Sequence, residues 1–192
     1  ATITGALGAD ISGKTLADLV TGGYLKLGGL SVNGVSTLTL TEGDLQSGAV
    51  ALFGAVTLAA EGAVFAQGFA GGFIKAALDV TLKDDVWSVR VGNGVTLDGA
   101  TGVYSVDGKS VATVDNTHTG KATDLVLNLS AIDASLSAAQ QAVVVQKLAQ
   151  AITYGNAGST PTDYARAVSI EVSDGASTTK DASLLTVTPV AD

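Results

Sequence analysis

The chain has 192 residues, 46% hydrophobic and 15% charged, with 18 acidic residues against 10 basic ones and a formal net charge of −8. This balance excludes a disordered chain, in which charge outweighs apolar content, and the absence of any Lys or Arg cluster argues against nucleic acid as a partner. With no Cys and no Met, thiolate nucleophiles, disulfides, zinc ribbons and iron–sulfur clusters are excluded, and His118 is left as the only nitrogen ligand.

No apolar run approaches the roughly 18 residues that cross a bilayer, because Gly, Asp, Ser or Lys interrupts each one. Fifteen of the acids are Asp and three are Glu, a bias that suits turns and oxygen-rich cation sites better than helices. Calcium is therefore the cofactor to look for. Without an initiator Met or a signal peptide, the chain is expected to be a mature product or a fragment of something longer.

Alternation with period two marks strands along most of the chain. Ala1-Thr2-Ile3-Thr4-Gly5 opens strand-like. Between residues 54 and 80, Ala, Gly and Phe dominate; alternation predicts strands at 64–67 and 73–82 with a corner at 68–72. Val86-Trp87-Ser88-Val89-Arg90-Val91 places Trp87, Val89 and Val91 on the core side. Gly108-Lys109-Ser110 resembles the end of a phosphate loop, but Val103 stands where that loop needs Gly. Residues 104–111 read instead as a hairpin turning at Asp107-Gly108.

Leu125, Leu127 and Leu129 share one face of a strand over 124–130. Val168, Ile170 and Val172 do the same over 166–173, with Ser169 and Glu171 outward. Asn33-Gly34, Asn93-Gly94, Asp98-Gly99 and Asp174-Gly175 are further turn dipeptides. Leu184-Leu185-Thr186-Val187-Thr188 reads as a last strand.

One segment breaks this rhythm. Ser137 and Gln140 form a capping box, and Val144, Val145, Leu148, Ala151 and Ile152 recur at helical spacing. An amphipathic helix over about 137–153 follows, stopped at Gly155 and lying across an open end of the sheets or over a sheet edge. The fold class is thus mainly β, an antiparallel β-sandwich with one helix. A boundary near Lys83-Asp84-Asp85 divides residues 1–83 from 84–192, unless the two merge into one domain.

A Ser–His–Asp site would need His118, which reads as part of a polar loop with no nucleophile elbow near it. Neighbouring acids such as Asp84 and Asp85 point to opposite faces of a strand and make a poor glycosidase pair, whereas Asp-bearing loops at strand ends suit calcium. A carbohydrate-binding face would have to draw on Trp87, Tyr24, Tyr104, Tyr154 and Tyr164.

From Asp85 onward, several segments carry a recurring pattern: Gly94-Val95-Thr96-Leu97-Asp98-Gly99, Leu136-Ser137-Ala138-Ala139-Gln140, Ala151-Ile152-Thr153-Tyr154-Gly155-Asn156, Pro161-Thr162, Arg166-Ala167-Val168, Val172-Ser173-Asp174-Gly175 and Val187-Thr188-Pro189-Val190-Ala191-Asp192. In these the chain resembles the cadherin-like repeats of large bacterial surface adhesins of the RTX type. Upstream, residues 23–29 and 38–48 resemble chondroitin-sulfate-proteoglycan-like repeats. The resemblance implies an Ig/cadherin-like sandwich at a bacterial cell surface or in an extracellular filament, with structural or adhesive work and calcium at the joints between modules. The calcium candidates are Asp84, Asp85, Asp174 and Asp192. The expected partners are neighbouring copies or modules, in a tandem array or a homopolymer joined by exchange of terminal strands, and cell-surface glycans.

Overall fold

The computed structural model describes residues 30–46, 48–60, 68–158 and 165–188. The predicted strand at 64–67, the N-terminal segment 1–5, Tyr24, Tyr164 and Asp192 lie outside them. The elements in chain order are β1 (Leu30–Asn33), β2 (Leu38–Thr41), α1 (Glu42–Gln46), β3 (Val50–Ala51), β4 (Thr57–Ala60), β5 (Phe73–Leu78), β6 (Asp85–Val89), β7 (Val95–Leu97), β8 (Val103–Val106), β9 (Lys109–Thr119), β10 (Leu125–Asn128), α2 (Ala138–Gln150), β11 (Ile152–Asn156), β12 (Arg166–Ser173) and β13 (Thr178–Thr188). A 3-10 turn, Leu129–Ala131, ends β10.

The protein is mainly β, as its alternation predicts. One eight-stranded sheet runs in the order β2-β13-β12-β5-β10-β9-β8-β7, beside a three-stranded sheet β3-β11-β6 and a two-stranded sheet β1-β4. Among the described strands every pairing is antiparallel except β2 with β13. Side chains alternate across a strand, so one face of the large sheet carries Ile74, Ala76, Leu78, Leu125, Leu127, Val168, Ile170, Val172, Leu185 and Val187, all buried. Trp87, Val89, Ile152 and Tyr154 from the three-stranded sheet, Val32 from β1, and Val144, Val145 and Leu148 from α2 complete the same core. Strands on both sides of Lys83 share the large sheet, since β2 and β5 precede it and the other six follow it.

One stretch of chain changes sheets. β1 pairs with β4, and four residues later β2 pairs with β13. The bend falls at Gly34, whose φ of +107° and approach to Ala55 leave no room for a side chain: a Cβ there would lie 2.5 Å from the Ala55 carbonyl oxygen. Sandwich corners are made by strands that switch sheets in this way.

The helix is capped as predicted: the Ser137 side chain accepts from Gln140 N–H, and the Gln140 side chain accepts from Ser137 N–H. It ends earlier than predicted, at Gln150, and Ala151 leads straight into β11, so Gly155 is a strand residue and not the stop. The next turn is lost because Ile152, Thr153 and Tyr154 join the ladder with β6. Three glutamines fasten the helix to its neighbours. Gln146 Oε1 accepts from Leu58 N–H at 2.8 Å, Gln150 Nε2 donates to Val56 C=O at 2.8 Å, and Gln141 Oε1 accepts from Phe69 N–H at 2.7 Å. The helix therefore lies along the edge of β4.

Other boundaries moved for local reasons. β5 ends at Leu78, where Asp79 turns its N–H to Ala167 C=O. Val91, expected in the core, is 56% exposed because β6 stops at Val89 and the chain reverses through Gly92 and Val95. Ser169, expected outward, is buried between Ala77 and Ala182 on the adjacent strands. The Asp107-Gly108 hairpin is present, with positive φ at both residues.

Gly120 tests the contact between the two larger sheets. Its φ is +85°, its C=O accepts from Trp87 N–H at 2.7 Å, and a Cβ would lie 2.6 Å from the Trp87 carbonyl oxygen. Gly120→Ala is expected to lose about 1–2 kcal/mol from the left-handed conformation and more from the clash. Gly99→Ala, where φ is not in that region and nothing lies within 4 Å of the added carbon, is expected to stay within about 0.5 kcal/mol of the parent. Urea denaturation of the two variants measures the difference, and equal losses would refute this packing.

Candidate functional site

The polar groups that meet most closely in the interior lie between the large and the three-stranded sheets. Asp85 opens β6, Tyr154 and Asn156 stand on β11, and Arg166 opens β12. Antiparallel register sets Asn156 opposite Asp85 and Tyr154 opposite Trp87, so Asp85, Tyr154 and Asn156 converge where the two strands meet. Arg166 reaches them from the other sheet, at a point where alternation directs the β12 side chain inward.

Arg166 Nη1 donates to Asp85 Oδ2 at 2.6 Å, and Nη2 donates to Tyr154 Oη at 2.6 Å. The Tyr154 hydroxyl donates to Asp85 Oδ1 at 2.7 Å, and Asn156 Nδ2 donates to the same oxygen at 3.2 Å. Leu82 N–H donates to Asp85 Oδ2 at 2.7 Å, and Arg166 Nη1 also donates to Val80 C=O at 3.3 Å. Asp85 and Tyr154 are 0% exposed and Arg166 is 2% exposed. The guanidinium carbon sits 5.9 Å from the Tyr154 ring centre, and Trp87 packs between Phe53 and Tyr154 at 5.8 and 5.3 Å.

Burial alone would raise the Asp85 pKa, but hydrogen bonds from Arg166, Leu82 and Tyr154 and the Arg166 charge outweigh it and hold the carboxylate below its usual range. Burial and the neighbouring Asp85 carboxylate push the Tyr154 hydroxyl up to about 12. For Arg166, burial works against the charged form, and the Asp85 and Tyr154 contacts overcome it and raise the pKa. At neutral pH the cluster is a buried ion pair with a neutral phenol hydrogen-bonded to both ions. Its chemistry is to hold two sheets in one relation.

Of the calcium candidates, Asp84, Asp85 and Asp174 lie among the described residues. Asp85 uses both oxygens within the cluster. Asp174 makes a turn, accepting from Ala176 N–H at 2.9 Å, Ser177 N–H at 2.7 Å and the Ser177 hydroxyl at 3.1 Å. Asp84 lies nearer the surface, 3.9 Å from Lys83 Nζ. Among the described residues, no three His, Asp or Glu side chains are grouped to hold a metal. Of the aromatic platforms, Trp87, Tyr104 and Tyr154 are buried.

His118 is in β9 and not in a loop, because that strand runs on to Thr119, where it meets Leu125 of β10 past a bulge. Its Nδ1 lies 3.2 Å from Asp115 Oδ1 and 2.9 Å from the Thr117 hydroxyl. Thr117 donates to Asp115 at 2.6 Å. Bonds from Thr117, His118 and Asn128 hold the Asp115 pKa well below the usual carboxylate range. Asp115 and Asn128 line a shallow groove of about 420 Å³ with Tyr104 and Thr113.

The sequence reading named Asp85 and Tyr154 for other duties and named Arg166 only within a motif. The signal available was a lone Arg at the head of an otherwise apolar alternating strand. Such a residue must snorkel or find a buried acid. Arg166→Met is expected to cost about 3–5 kcal/mol, because it leaves Asp85 buried and unpaired; a loss under about 1 kcal/mol in urea denaturation would show that the pair does not hold the sheets. The folded Asp85 pKa lies below its unfolded value, so its stabilisation is present above about pH 4 and is lost as pH falls through the folded pKa. Between pH 7 and 2 the Asp85→Asn variant should therefore show a shallower fall in stability than the parent, and parallel curves would contradict the assignment.

Compared with known proteins, the chain matches no family model, no curated protein and no solved structure.

Proposed function

We propose that the chain is a structural module of a bacterial extracellular surface protein or filament, whose work is to span distance and join neighbouring modules. The observation that carries this reading is the parallel pairing of β2 with β13, in which Leu38 to Thr41 lie beside Leu185 to Thr188. The two strands lie near opposite ends of the described chain. Tension applied through those ends draws β2 toward its own N-terminus and β13 toward its C-terminus. Parallel neighbours pulled in this way slide past one another, so their hydrogen bonds are loaded together in shear and not broken one at a time.

Three features support the same reading. β12 and β13 pair over eight residues of each strand, β12 is anchored to the second sheet by the Arg166–Asp85 pair, and the neighbouring strand β5 continues the ladder. A sheet braced in this way resists sliding because each step of slippage places core side chains on the solvent face.

Single-molecule pulling tests the proposal. Traction through the two ends should give a rupture force well above that found when the same protein is pulled through handles at Val103 and Thr113, which lie opposite one another at the open end of the β8–β9 hairpin and part its hydrogen bonds one at a time. Equal forces in the two geometries would remove the mechanical role.

A further inference from the structure

The groove beside Tyr104 lies where the large sheet is uneven. β8 begins at Val103, opposite Thr113, while β9 runs on to Thr119 with no strand beside it on that side among the described residues. Thr101 and Gly102, from the turn between β7 and β8, supply another part of the wall. Asp98 fixes that turn: its Oδ1 accepts from Ala100 N–H at 2.8 Å, and its C=O accepts from Gly102 N–H at 2.8 Å. A second carboxylate fixes β9. Asp115 Oδ1 accepts from Thr117 N–H at 2.9 Å, the Thr117 hydroxyl at 2.6 Å and His118 N–H at 3.0 Å. Both walls are thus held by bonds within the protein before anything binds.

The polar atoms left over point to a ligand. Tyr104 is 8% exposed, and its hydroxyl has no hydrogen-bond partner among the described residues. A polar group on so buried a side chain normally finds one. Among the described residues the one fully enclosed side-chain polar atom without a partner is Trp87 Nε1, so the Tyr104 hydroxyl opens into the groove that its residue lines. Burial pushes its pKa up, which leaves it neutral and able both to donate and to accept. Asp115 Oδ2 accepts one bond, from Asn128 Nδ2 at 3.3 Å, and has room for another. The Thr113 hydroxyl, the Asn128 side-chain carbonyl and the Asn116 side chain also line the groove without a partner among the described residues.

We propose that this groove binds a neutral sugar, a pyranose of a glycan, through its hydroxyls. Each sugar hydroxyl both donates and accepts, and the groove offers both kinds of partner: Tyr104, Thr113 and Asn116 can donate, while Asp115 Oδ2 and the Asn128 carbonyl accept. Charge selects against acidic sugars and phosphates, because Asp115 is the only charged side chain lining the groove among the described residues and the chain carries a net charge of −8. A lone carboxylate with one oxygen already engaged is a poor start for calcium, which takes about six to eight oxygens. Leu97, 44% exposed, gives the ring C–H groups an apolar contact. Tyr104 takes part by its hydroxyl and not by its buried ring face. The volume of about 420 Å³ falls within the roughly 300–1,000 Å³ of small-molecule sites.

The inference goes beyond the mechanical reading and does not rest on it. The test titrates the full chain with cellobiose, maltose, lactose and mannobiose at tens of millimolar, and in separate arms with glucuronate and with calcium chloride, followed by amide NMR. The expected result is movement of the Thr101, Asp115, Asn116 and Asn128 amides with at least one neutral disaccharide, and none with glucuronate or calcium. Tyr104→Phe removes a hydroxyl that no described residue uses, so its melting temperature should match the parent's while its affinity for that sugar falls about 3–10-fold, the loss of one neutral hydrogen bond. No movement with any of the four sugars, movement confined to other parts of the chain, glucuronate binding as tightly as the neutral sugars, the same amides answering to calcium alone, or a Tyr104→Phe variant that binds like the parent each overturns the sugar site. A protein of high end-to-end rupture force that binds no sugar sinks this inference and leaves the mechanical role standing, whereas a sugar binder of low rupture force does the reverse.

Discussion

The pairing of Arg166 with Asp85 is the contact on which the relation between the sheets depends. Apolar faces rich in Val, Ile and Leu are attracted to one another without direction, so two such sheets can pack in several offsets at similar free energy. A buried ion pair admits one offset. Removing each ion from water costs several kcal/mol, and that penalty is offset only when every donor and acceptor is matched. The Tyr154 hydroxyl, Asn156, Leu82 N–H and Val80 C=O supply the matches. Slippage by one residue would forfeit the whole set, which makes the cluster a device for register more than a reservoir of stability.

The same logic extends to the helix. Its apolar stripe supplies attraction, while Gln141, Gln146 and Gln150 make hydrogen bonds to backbone groups that their own strands and turns leave over. Leu58 is opposite Val32 in the β1–β4 pair, and its N–H points outward to Gln146. A buried or half-buried amide without a partner costs about 1–3 kcal/mol, so the helix removes a liability at an edge as well as covering a core. At β13 side chains take over this work: Thr179, Asp181 and Ser183 tether the sheet-switching chain at Val32, Val35 and Thr37.

Much of this was legible in the residues. Alternation at 125–128 and 166–173 and the Ser137–Gln140 box are local signals whose physics is complete within a few residues, and the structure carries both strands and the cap, with Ser169 turned from outward to buried by its strand neighbours. The Trp87 burial followed for the same reason. Readings failed where pairing decides the outcome: Gly155 continues a strand because it lies opposite Val86 of β6, Val91 leaves the core because the chain reverses at Gly92, and His118 lies in β9 because that strand runs on past it to Thr119, opposite Leu125 of β10.

Composition and period two were enough to determine a sandwich of antiparallel strands closed by one capped helix, because burial of alternating apolar side chains has few other solutions. They could not determine which polar residues meet. Asp85 and Arg166 are separated by 81 residues, and no local pattern distinguishes an acid that will ligate a cation from one that will pair with a buried guanidinium. The parallel β2–β13 pair likewise exists only in three dimensions, since pairing partners are chosen by the packed whole and not by the strands themselves.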